Sequence, residues 1–143
     1  MPIVDPMNLN GSSSLEQMLW SNPVPFRATS TAIATHKCVS IGTDGLIAIS
    51  ATDGTPSLVV GITREAIEAS GTGQVIIQGI AENVACDGTV AAGDLLKRSV
   101  TTAGSVAATA TPAEGEVIGV AINASASNVV DVWIGPAGSC GTS

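Results

Sequence analysis

Aromatic residues are nearly missing from this chain: its 143 residues include no tyrosine, one phenylalanine and two tryptophans. A groove that stacks bases or sugar rings needs several aromatic faces. Trp20, Phe26 and Trp133 are too few and too scattered to furnish one. Basic residues are sparse as well. Five Lys and Arg against twelve Asp and Glu give a net charge of −7. That leaves no footprint for neutralising phosphates and excludes nucleic acid as an expected partner. The acidity serves instead to keep an apolar, glycine-rich chain dissolved.

Histidine and cysteine are equally thin. One histidine, His36, and three distant cysteines, Cys38, Cys86 and Cys140, lack the paired spacings of a zinc site. An odd, sparse set of cysteines does not form a disulfide framework, and the three read as free thiols made in a reducing cytosol. The alternative is a bond between subunits through Cys140. No Gly-x-Ser-x-Gly nucleophile elbow accompanies His36. The acidic pairs Glu65/Glu68 and Glu114/Glu116 read as solvated loops with nothing beside them to shift a pKa. Asp44, Asp53 and Asp87 each precede glycine as β-turn aspartates do, and none opens a calcium loop. Gly71-Thr72-Gly73 lacks the third glycine of a dinucleotide fingerprint and leads into a strand. The sequence therefore predicts no enzyme: no catalytic residue, no cofactor and no metal. The first residues show no basic patch followed by an apolar run, so no signal peptide is expected. No stretch approaches the ~18 uninterrupted apolar residues of a membrane span, so no membrane partner is expected either.

What the chain has is alanine, valine and isoleucine. Apolar residues make up 45% and charged residues 12%, which excludes a disordered polar chain. Small and β-branched side chains suit closely packed sheets. Alternating or β-branched runs predict strands over 31–35, 37–41, 46–49, 58–63, 74–80, 95–98, 116–122 and 129–134. Asp44-Gly45, Asp53-Gly54, Asp87-Gly88 and Ala103-Gly104 punctuate them as turns. Such spacing without a long helix predicts an all-β sandwich or small barrel over 27–135. Arg64 to Ala69 reads as a loop between two strands. The run Val60-Gly61-Ile62-Thr63 with its return Gln74 to Gln78 is echoed by Ile118-Gly119-Val120-Ala121 with Val129 to Trp133. The echo suggests pseudo-symmetry. Residues 136–143 read as a loose tail.

Residues 1–26 differ in texture, with Pro2, Pro6, Pro23 and Pro25 and one capping-box signal, Ser13 with Glu16. A short helix through Leu15, Met18, Leu19 and Trp20 is predicted, ended by Asn22-Pro23. So short a helix must dock on something to persist. The segment reads as an extended arm. It packs either on its own domain or on a neighbouring subunit or partner.

Ala92-Gly93-Asp94-Leu95, Ile118-Gly119-Val120-Ala121 and Val129-Val130-Asp131-Val132-Trp133 give the chain its resemblance to the capsid decoration (cement) proteins of tailed phages, over roughly residues 36–134. The resemblance implies a β-tulip-like barrel that forms a homotrimer on the virion exterior. There it binds the major capsid protein, bridges capsomers and stabilises the shell. The arm then serves as the capsid or intersubunit interface, with Met7, Leu9, Leu15, Met18, Leu19, Trp20 and Phe26 as anchors, since Met and aromatic side chains are typical of interface cores. The rival expectation is a head-fibre or adhesin-like module that binds carbohydrate or a receptor.

Overall fold

The computed structural model describes residues 21–53, 58–111 and 116–135. Within them the chain forms nine strands and no helix: β1 (Ser21–Arg27), β2 (Cys38–Ile41), β3 (Ile47–Ile49), β4 (Val59–Thr63), β5 (Thr72–Asp87), β6 (Leu95–Arg98), β7 (Val106–Ala108), β8 (Gly119–Ala121) and β9 (Val129–Ile134). The helix expected through Leu15 to Trp20 and the tail after Gly135 lie outside the described residues.

The longest strand organises the rest. The first half of β5 pairs with β1 on one edge and β4 on the other. Its second half pairs with β9 and then, in parallel, with β7. From there β7 joins β6, β6 joins β8 and β8 joins β9, so five strands close on themselves as a barrel. On the other side β4 joins β2 and β2 joins β3. A single parallel bridge from Ala28 to Ile47 brings β3 back to the end of β1. Two rings thus share one strand.

Each ring has its own core. The larger cluster fills the closed barrel with Ala81, Val84, Cys86, Leu96, Val106, Ala121, Val130, Val132 and Ile134, and extends beneath β2 and β4 to Cys38, Ile62 and Ile76. The smaller gathers Ala28, Ile33, Val39, Ile47, Ile67 and Val75, with Phe26, Ile41, Ile49, Val60 and Ile77 half-buried around it. Val39 and Val75 therefore face one core while Cys38 and Ile76 face the other, because successive residues of a strand point to opposite sides. Burial of each such aliphatic side chain contributes about 1.5–3 kcal/mol.

The strand β5 changes partners at Gly79, where it pairs with Ser21 of β1 and with Ile134 of β9 at once. Gly79 has φ +106°, in the region that side chains rarely enter. Four residues on, a bulge carries Asn83 at φ +54°, a value Asn tolerates well, and its amide donates to Asp131 Oδ1 at 2.9 Å.

The internal echo is structural. Gly61 of β4 and Gly119 of β8 both lie so close to the returning strand that a Cβ would meet a backbone carbonyl, of Ile76 and of Trp133 respectively. The turn residues Gly45 and Gly88 have the positive φ their Asp-Gly sequences require, and Gly104 has it too. Residues 31–35 depart from expectation. They make one bridge, Ile33 with Ile67, because only Ile33 of the run is buried. In the opposite direction, β1 is a full strand despite Pro23 and Pro25. Both prolines have the same parity, and among the described residues β1 pairs with β5 alone, so their missing donors fall on the edge away from β5.

Candidate functional site

Among the described residues, the reactive side chains singled out in the sequence do not converge on one metal-binding group. His36 occupies a turn before β2 with φ +61°, its N–H donating to the Thr63 carbonyl and its own carbonyl accepting from Ala85 N–H. Its backbone thus ties β4 to the barrel. No group of three or more His, Cys, Asp or Glu side chains gathers to hold a metal among the described residues. Asp87 caps the loop between β6 and β7: its carboxylate accepts from the Ser99 hydroxyl and the Thr102 N–H. The Ser99 hydrogen bond, foremost, holds that carboxyl below its ordinary range.

Cys38 and Cys86 are free thiols in the larger core. Burial pushes the Cys38 thiol up to about 11, and burial, with the nearby Asp87 charge, raises Cys86. Only the thiolate alkylates. At pH 8, iodoacetamide is expected to label Cys38 at least about a hundredfold more slowly in the folded protein than in urea, since its thiol titrates near 11 rather than 9.0. Peptide mass spectrometry over a time course reads the difference at Cys38 and Cys86 separately.

The feature that does converge is apolar and lies on the outside of the barrel. Leu95 of β6 is opposite Val120 of β8, Val120 is opposite Trp133 of β9, and Trp133 is opposite Ile80 of β5. Directly opposed residues share a face. Their neighbours Leu96, Ala121, Val132 and Ala81 point into the core, so this row points outward. Ile80 is buried, Val120 half-buried, and the row opens from Trp133 to Leu95; the Trp133 side chain is 59% exposed. Ile122, beyond the end of β8, continues the apolar surface, and with Val120, Trp133 and Gly135 it lines a shallow hollow. An indole standing in solvent on a regular strand is the arrangement expected of a surface that another polypeptide covers. Asp131 and Asn123 bound it: Asn123 Nδ2 donates to Asp131 Oδ2 at 2.8 Å.

Of the arm residues expected to anchor contacts, Phe26 lies in β1, half-buried against the smaller core. Met7, Leu9, Leu15, Met18, Leu19 and Trp20 lie outside the described residues. Sequence reasoning did not reach the outer row. Trp133 was visible as the aromatic in a barrel strand, but its neighbours Val120 and Leu95 meet it through the register of three strands.

No protein-family model matches the chain, and no curated protein matches it. Among solved structures, the crystal structure of the N base of the head fibre protein gp8.5 of bacteriophage phi29 is similar, with a TM-score of 0.53 and 17% identity. The match covers 80% of this chain and 95% of that one. The two share a fold.

Proposed function

We propose that this protein is a structural component of a phage head, carried on the outside of the virion, and that it works by adhesion. The observation that carries this reading is the shared fold with a head fibre base. Three copies assemble over the shell and bridge capsomers of the major capsid protein, as the decoration proteins it resembles in sequence do. The arm tethers each barrel. Once a barrel has docked, arm binding is effectively intramolecular, and repetition over the shell multiplies modest contacts. Met7 and Leu9, the last apolar residues before the predicted helix, are the natural shell anchors.

A second reading is supported by the same neighbour: the barrel is the seat of a fibre that projects from the head. Both place the chain on the shell, and they differ in what the copies carry.

Sedimentation equilibrium of the purified protein at micromolar concentration is expected to give a trimer. Co-sedimentation with phage heads assembled without it should be saturable, and Met7→Ser with Leu9→Ser should weaken it at least tenfold. A monomer that ignores such heads refutes the proposal.

A further inference from the structure

The outer apolar row ends where the chain enters the described fold. Ser21, the first residue of β1, pairs with Gly79, and the next residue along β5 is Ile80, which is opposite Trp133. β1 runs antiparallel to β5, so the residues preceding Ser21 set out from the buried end of the row. Strands lie about 4.8 Å apart, which puts β9 about 10 Å and β6 about 19 Å from the line of β1. Six residues span about 9 Å as helix and about 20 Å extended. As a helix, residues 15–20 reach β9 and, through their side chains, β8, and the chemistry fits. Leu15, Met18 and Leu19 recur at the i, i+3, i+4 spacing of one face, while Glu16, Gln17 and Trp20 fall on the other side. The other terminus starts nearby, after Gly135, but Pro136-Ala-Gly-Ser-Cys-Gly-Thr-Ser143 has no large apolar side chain to lay on an indole.

We infer that residues 15–20 of the same chain dock on the outer barrel face formed by Trp133, Val120 and Ile122. The clasp closes the larger ring from outside and fixes where the outer arm, residues 1–14, departs from the barrel. It rests on the register of β1, β5, β8 and β9 and holds whether or not the protein belongs to a phage head.

The chain has two tryptophans, Trp20 and Trp133, and with Trp20 replaced the fluorescence of Trp133 tests the contact directly. In full-length Trp20→Phe, Trp133 is expected to emit in the blue and resist acrylamide. Adding Leu15→Ser and Leu19→Ser should shift the emission to the red and raise the quenching constant several-fold, with the far-ultraviolet circular dichroism unchanged. Trp133 quenched like a free indole, and indifferent to the arm substitutions, overturns the inference. So does shielding that disappears on dilution, which would give the face to the arm of a second copy. Trp133 still shielded in a protein that fails to bind heads supports the clasp and strikes only the proposed function.

Discussion

Gly79→Ala is expected to lower the stability of the protein by roughly 2–4 kcal/mol, from backbone strain and from a methyl group added at a buried position. Gly79 is buried at the point where β5 leaves one ring and enters the other, paired on both edges, and its φ of +106° is closed to a side chain without strain. The backbone cannot relax easily, because a change of φ there would rotate the β1–β4 half of β5 against the β9–β7 half. Thermal unfolding followed by circular dichroism should show a fall in Tm of about 10 °C for a domain of this size. Gly45→Ala is the control. It has a comparable φ of +80° in an exposed turn with open space around a Cβ, so it should cost only about 1–2 kcal/mol. Equal losses at the two positions would mean that the switch of β5 between rings carries no special constraint.

That switch also marks where the sequence was legible and where it was not. β6 and β9 coincide with the runs 95–98 and 129–134, since each is an alternating or β-branched stretch bounded by turn residues whose geometry the structure retains. The barrel follows from those runs, because strands so short and close must close or stack to cover their edges. β5 was readable only as far as Ile80. Beyond it Glu82 and Asn83 look like the start of a loop, and the strand survives through a bulge anchored on Asp131, 48 residues away in sequence. β7, Val106-Ala-Ala108, is too short and bland to announce itself and is held by pairing with β5 and β6. β1 was hidden by its prolines, which are harmless on an edge. The outer row was hidden for a related reason. Leu95, Val120 and Trp133 come from three separate strands, and no periodicity within one segment encodes their meeting.

Adhesion through a surface requires that the two rings keep a fixed relation, and a second substitution tests how they do so. Thr63→Val is expected to cost roughly 2–4 kcal/mol, though valine has almost the same shape, because two polar groups lose their partner. Thr63 is fully buried. Its hydroxyl donates to the Ala34 carbonyl at 2.8 Å and accepts from the Lys37 N–H at 2.9 Å. Its backbone N–H donates to the Lys37 carbonyl, and its carbonyl accepts from His36 N–H, both at 2.9 Å. The loop so held includes His36 in a left-handed conformation, and the His36 carbonyl in turn accepts from Ala85 N–H of the barrel. Thr63 is therefore the polar joint between the smaller ring and the larger. Loss of its hydroxyl should release the loop before it melts either core. Hydrogen exchange at the amides of His36, Lys37 and Ala85 is expected to accelerate by more than that of Ile62 and Ile76, on the same core. Thr63→Ser, which keeps both hydrogen bonds and gives up a methyl group, should retain most of the protection at these three amides. If valine and serine have the same effect, packing of the methyl group rather than the hydroxyl joins the rings.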